Sequence, residues 1–198
     1  MQKAEYRYYE ISRDIPVLVL TGEKWETVYG MDNMHFHNYL EIGYCHYGKG
    51  TVQLAERELT YDAGTITFIP RNIPHRTCPD PEKADEKQKW EYLFVDSDTI
   101  LKKCFADVPE KYVKLKKNLE QKVFALDQKN NKRAAELMQM IIEEEQCKRS
   151  NYKYAILTFG LNLLLFFDRL DQKETEEKPL SDTMDYIRKL INYMELHY

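Results

Sequence analysis

The sequence predicts a mainly β domain, a small barrel or jelly roll over residues 1–97, followed by an α-helical region over residues 98–171. Three observations predict it. From Tyr6 to Phe94, short alternating runs such as Val52/Leu54 and Leu59/Tyr61 are punctuated by Gly22, Gly30, Gly48-Lys-Gly50, Asp62-Ala-Gly64 and the Pro70/Pro74 pair, as expected of many short strands. Beyond Ser97, Leu115, Leu119, Val123 and Leu126 recur at helical spacing, as do Ala134, Leu137, Met138 and Ile141. Finally, three imidazoles and a carboxylate, His35, His37, Glu41 and His75, sit where β geometry can converge them.

Taken in order along the chain, His35-Phe-His37-Asn-Tyr-Leu-Glu41 reads as one strand whose positions i, i+2 and i+6 share a face if no bulge intervenes. Residues of the same parity, Tyr39, Gly43, Cys45 and Tyr47, are then expected to line the pocket, with Gly43 leaving space near the carboxylate. Trp25 and Trp90 are candidates to stack on a flat ligand face, although a tryptophan in a small barrel is more often core. Gly64-Thr-Ile-Thr-Phe-Ile69 reads as the adjacent strand, and the turn-rich Pro70-Arg-Asn-Ile-Pro74 delivers His75. Pro79 to Lys89 is charged and aperiodic, an exposed loop.

In the second half, Ala155 to Phe167 is apolar on nearly every side. It is interrupted by Thr158, Gly160 and Asn162 and is too short to span a bilayer. One face can pack on the barrel, and leaving three such side chains of the other in water would forgo roughly 5 to 9 kcal/mol, comparable with the stability of a typical domain. A homodimer built on Leu157, Leu161, Leu164, Leu165 and Phe167 is therefore expected, the alternative being a helix sandwiched inside its own subunit. Residues 172–179 read as a charged linker. Met184, Ile187, Ile191 and Met194 then form the stripe of a last helix within residues 180–198.

Imidazole nitrogens and a carboxylate oxygen suit first-row divalent cations, and zinc, iron, manganese, cobalt and nickel are all compatible with this donor set. The competing arrangement is a metal-free network in which Glu41 orients imidazoles around a polar effector; a buried carboxylate needs such partners either way.

The composition is that of an ordinary globular protein. Against 33 Asp+Glu stand 29 Lys+Arg, for a net charge of −4, which argues against nucleic-acid contact by this stretch of chain. Ile100 to Arg133 carries ten basic and four acidic residues, read as the solvated face of amphipathic helices. Cys45, Cys78, Cys104 and Cys147 form no C-x-x-C pair, so reduced thiols are expected. Ile15 to Leu20 is too short and too late for a signal peptide, and a cytoplasmic protein with no membrane partner is expected.

Written as spacings, H-x-H, three residues, Glu41, six residues, Gly48, and then Gly64, five residues, Pro70, four residues, His75, resemble the two motifs of the cupin superfamily. Asn72 stands where that pattern usually has glycine, and Pro79 where it often has asparagine. The longer succession, from His35 through Leu59-Thr-Tyr-Asp-Ala-Gly64 to Trp90-Glu-Tyr-Leu-Phe-Val95, resembles the amino-terminal domain of AraC/XylS-family transcription regulators. That resemblance implies a cupin-like double-stranded β-helix that binds a small effector, dimerisation helices between Asn130 and Leu170, and no catalytic residues. It further implies that Glu5 to Glu10 folds over the barrel mouth, and that Met184 to Tyr198 is the first helix of a truncated DNA-binding domain whose helix-turn-helix units are missing here. A metal-dependent cupin enzyme, a dioxygenase or isomerase, is the alternative.

Overall fold

The computed structural model describes residues 4–22, 26–27, 33–54, 57–83 and 86–170, together with residues 186, 189–191, 193–194 and 197. In chain order, the barrel strands are β1 (Glu5–Arg7), β2 (Val17–Leu20), β3 (Glu26–Thr27), β4 (His35–His37), β5 (Leu40–Tyr47), β6 (Gly50–Leu54), β7 (Glu58–Tyr61), β8 (Thr65–Ile69), β9 (His75–Pro79) and β10 (Gln88–Val95). They are followed by α1 (Ser97–Cys104), α2 (Pro109–Glu120), β11 (Phe124–Asp127), α3 (Lys132–Cys147) and α4 (Tyr152–Arg169). One sheet has the order β1-β4-β9-β6-β7 and the other β11-β8-β5-β10-β2, with β3 pairing to β10. The two sheets form the expected cupin-like barrel, followed by helices.

Alternation along the strands of the second sheet separates two cores. Cys45, Val52, Leu59, Tyr61, Ile69 and Trp90 fill the barrel. Ile42, Ile66, Phe68, Leu93 and Val95 face the other way and pack under Ile100, Leu137, Met138, Ile141, Leu163 and Phe167 of the helices. This second sheet is therefore buried on both faces, and β8 is buried at every position of Thr65–Ile69, threonines included.

The helix expected through Val123 and Leu126 is not one helix. α2 stops at Glu120, and Phe124–Asp127 is a strand antiparallel to β8. The cause is tertiary: Phe124 and Leu126 join the helix-side core while Val123 joins the barrel interior. The strand also satisfies the edge of β8, whose backbone groups would otherwise be buried without partners. The stretch expected to be all helical thus returns one strand to the barrel.

α4 lies within its own subunit, against α3, α1, α2 and β2. Of the five residues expected on a dimer face, Leu164 and Phe167 are instead core, 1% and 0% exposed. Leu157, Leu161 and Leu165 are half-buried, and the outward line is Tyr154, Thr158, Asn162 and Arg169. Several elements of its own subunit pack on this helix, so its apolar side chains meet more than one neighbour. Lys122 closes its end, donating from Nζ to the carbonyls of Phe167, Asp168 and Leu170 at 3.0, 2.5 and 3.0 Å. This cation on the last carbonyls opposes the partial negative charge at a helix C-terminus.

The linker expected at 172–179 lies outside the described residues. Beyond it the described residues are helical, with Tyr186, Leu190, Tyr193 and Met194 exposed. No helix among the described residues is long and apolar enough to cross a membrane.

Candidate metal centre

β4 presents His35 and His37 to the barrel interior and turns Phe36 outward, where it stacks on Tyr6 at 5.0 Å. His75 opens β9, and its Cα pairs directly with that of His35. Glu41 does not arrive by simple alternation. The chain bends at Asn38-Tyr39 and passes from the first sheet into the second, so β4 and β5 are separate strands. The sheet switch still turns Glu41 inward, onto its expected partners.

The bend is held from two sides. Asn38 accepts from the Tyr9 amide at 3.0 Å and donates to the Tyr9 carbonyl at 2.9 Å. The amide of Asn72 donates to the His37 carbonyl at 2.9 Å. Asn72 has φ 61, the left-handed region that asparagine tolerates better than most side chains. Its departure from the usual cupin glycine thus preserves the turn. Gly48 and Gly64, at φ 122 and 90, occupy conformations that other residues rarely adopt.

The quartet is buried, with His35, His37, Glu41 and His75 between 0% and 5% exposed. One donor atom from each lies within 4.8 Å of the others. His37 Nε2 is 3.1 Å and His75 Nε2 3.6 Å from Glu41 Oε2. On their far sides, His35 Nδ1 meets the Asn33 carbonyl at 2.9 Å, His37 Nδ1 the Tyr39 carbonyl at 2.7 Å, and His75 Nδ1 the Ile73 carbonyl at 2.8 Å. A carbonyl only accepts, so all three Nδ1 atoms carry protons; Nε2 of a ring without a second proton then offers its lone pair inward, and Nε2 of a doubly protonated ring donates to Glu41. Burial alone would raise the pKa of Glu41, but the imidazoles of His75 and His37 outweigh it and hold the carboxyl well below its usual range.

The donor set fits a divalent ion: three neutral imidazoles with backbone-fixed tautomers and one ionised carboxylate, with no acidic hydrogen-bond donor among them unless a ring is protonated. Four acceptors so close together need a cation, which can be a metal ion or protons added to the rings.

The remaining expected pocket residues do not form one surface. Gly43 and Cys45 follow the inward parity, and Trp90 lies in the barrel between Tyr61 at 4.9 Å and Tyr92 at 5.7 Å. Burial pushes the Cys45 thiol up to about 12, assisted by the charge of Asp62, so it stays protonated. Tyr47 is at the strand end, 40% exposed. Tyr39 lines a separate cavity with Arg71, Asp96 and Lys116. Trp25 lies outside the described residues.

Residues that sequence reasoning did not single out support the quartet from behind. Phe94 packs edge-on to His37 at 4.9 Å, and Tyr9 stacks on Phe94 at 4.1 Å. β1 adds parallel to β4 as an extra strand, so residues 5–9 run alongside the site. Phe94 belongs to an alternating strand pattern and could have been found by parity. Tyr9 lies in the segment Glu5 to Glu10 expected over the barrel mouth, but nothing in the sequence pairs it with Asn38, 29 positions away in the chain.

A side chain at Gly43 would meet Thr67 Oγ1 at 2.5 Å, the Tyr92 ring at 3.1 Å and Trp90 at 3.2 Å. Gly43→Ala is therefore expected to destabilise the protein by about 1–3 kcal/mol through overpacking, read as a lower urea midpoint with an unchanged slope. An unaltered midpoint would show that the three neighbours yield freely.

Residues 19–106 match the family model of the AraC-like ligand binding domain. No curated protein matches the chain in sequence. Among solved structures, ToxT from Vibrio cholerae with a bound unsaturated fatty acid is similar, at 12% identity and a TM-score of 0.53 over 91% of this chain and 63% of that one. ToxT bound to (E)-4-(8-methylnaphthalen-1-yl)but-3-enoic acid gives 10% identity and a TM-score of 0.51, over 92% of this chain and 66% of that one. The chain thus spans just under two thirds of the length of these proteins, and at such identity the likeness speaks for fold alone. Together with the paired sheets, which have a cupin-like fold, the match identifies residues 19–106 as similar to an AraC-like ligand binding domain.

Proposed function

We propose that the chain is the ligand-sensing and dimerisation module of a cytoplasmic AraC-family DNA-binding transcription regulator. In this reading His35, His37, Glu41 and His75 hold a divalent cation, and a small polar effector binds beside it. The carrying observation is the orientation of the rings: each Nδ1 is committed to a backbone carbonyl, leaving Nε2 of each imidazole for the centre. Four protein donors on a six-coordinate ion leave room for an oxygen atom of the effector. The bound ion would supply Lewis acidity that favours an anionic or hydroxyl-bearing group. The AraC-like family match supports the sensor reading.

Elemental analysis of protein purified without added metal or chelator tests the metal. We expect about one ion per chain, and a thermal midpoint that falls on chelation and recovers with the ion, because a ligand bound only to the native state stabilises it. Metal-free protein whose midpoint ignores zinc, iron, manganese, cobalt and nickel would reduce the quartet to a hydrogen-bond network.

Dimerisation is proposed on the half-buried Leu157 and Leu161; Leu164 and Phe167 are core, and Leu165 turns toward a groove beside α3. Leu161→Asp should convert a sedimenting dimer to monomer. Effector binding must favour one arrangement of barrel and helices over another to act on the DNA-binding domains of such a regulator. DNA contact is assigned to those domains, so the 198-residue chain should not bind promoter DNA specifically whereas the full regulator should. The enzyme alternative draws on the same quartet, and metal-dependent turnover of a substrate by this chain would favour it.

A further inference from the structure

A second cavity, of about 210 Å³, lies between α3 and α4, with none of its lining residues in the barrel interior. Its apolar part is Leu137, Leu165, Phe166 and Leu170, and Arg133 and Arg169 stand at its margin. The two arginines come from opposite ends of an antiparallel pair: Arg133 opens α3 and Arg169 closes α4. Neither guanidinium has a hydrogen bond or ion pair among the described residues. Elsewhere in this region charges are matched, as in Lys132 with Glu136 and Arg149 with Glu143 and Glu144. Two guanidiniums facing one groove without an anion repel each other.

We infer that this groove binds an amphipathic organic monoanion, with its carboxylate between Arg133 and Arg169 and a short apolar chain or ring on Leu137, Leu165 and Phe166. A guanidinium matches a planar carboxylate with two parallel hydrogen bonds. The apolar floor selects against small, wholly polar anions, and the volume is far above the need of a single water. Such a ligand would join the start of α3 to the end of α4, where Lys122 already grips the carbonyls of Phe167, Asp168 and Leu170. The groove would thereby sense an acid at the point where the chain leaves the helical region, independently of whatever the quartet holds.

Nuclear magnetic resonance titration of the 198-residue protein with octanoate, octanamide and inorganic phosphate tests this. Octanoate is expected to give saturable shifts at Leu137, Leu165, Phe166 and Leu170, with octanamide and phosphate weaker by about tenfold or more. Arg133→Gln and Arg169→Gln, both at exposed positions, should each weaken octanoate by about fivefold or more while keeping the parent thermal midpoint. Octanoate binding that is unchanged in both variants, or shifts centred on His75, would overturn the assignment. So would groove signals that respond to Glu174→Gln/Glu176→Gln/Glu177→Gln but not to octanoate, because the occupant would then be the chain's own acidic segment.

Discussion

His37→Ala is expected to lower the unfolding free energy of the metal-free protein by about 3 kcal/mol, near the lower end for breaking a buried ion pair by removing one partner. His37 is fully buried, contacts Glu41 at 3.1 Å, and ties the bend of the chain through the Tyr39 carbonyl. Without it, Glu41 keeps His75 at 3.6 Å as its ion-pair partner, and a carboxylate out of water is left under-compensated. For a chain of this size the midpoint should drop by roughly 6–12 °C. On the proposed metal-holding role of the quartet, metal affinity should fall by more than about 100-fold, since even the loss of an outer partner of a ligand costs about 10–100-fold. Thermal denaturation with and without chelator, and a cobalt titration followed by its visible spectrum, separate the two effects. A variant with the parent midpoint would show that Glu41 does not depend on His37.

Phe167→Ala should be still more damaging, at about 3–5 kcal/mol. Its ring is 4.4 Å from Phe68 and 6.2 Å from Phe124, so it joins α4 to β8 and β11 at once. Truncation would leave a cavity whose walls are strands and helices that cannot collapse together. Because the residue lies within one subunit, the loss should not depend on protein concentration. A loss that shrinks as concentration rises would place Phe167 in a subunit interface instead, since association stabilises by mass action. Denaturant midpoints at two concentrations about 50-fold apart decide between them.

The same two residues show what the sequence makes legible. His37 was readable because H-x-H has the period of a strand, so side chains two apart share a face whatever surrounds them. The Gly48 and Gly64 turns were readable for an equally local reason, the positive φ each adopts. Phe167 is buried within its own subunit rather than on an open helix face, a distinction the sequence leaves open because apolarity records that a side chain avoids water and not which neighbour covers it. Val123 and Leu126 erred in the same way: spacings of three and four suit a helix, yet residues 123–126 also alternate between two cores when a sheet edge is available.

The sequence by itself determined the donor set, the tight turns and the change from strands to helices at about Ser97, since these rest on side-chain chemistry and local backbone period. The tertiary structure decided that Glu41 reaches the three imidazoles by crossing between sheets, that β11 returns to the barrel, that Tyr9 backs the site, and that α4 buries Leu164 and Phe167 within its own subunit. Each of these depends on which distant segment covers a face or pairs with an edge. That information belongs to contacts between elements rather than to the pattern within any one of them.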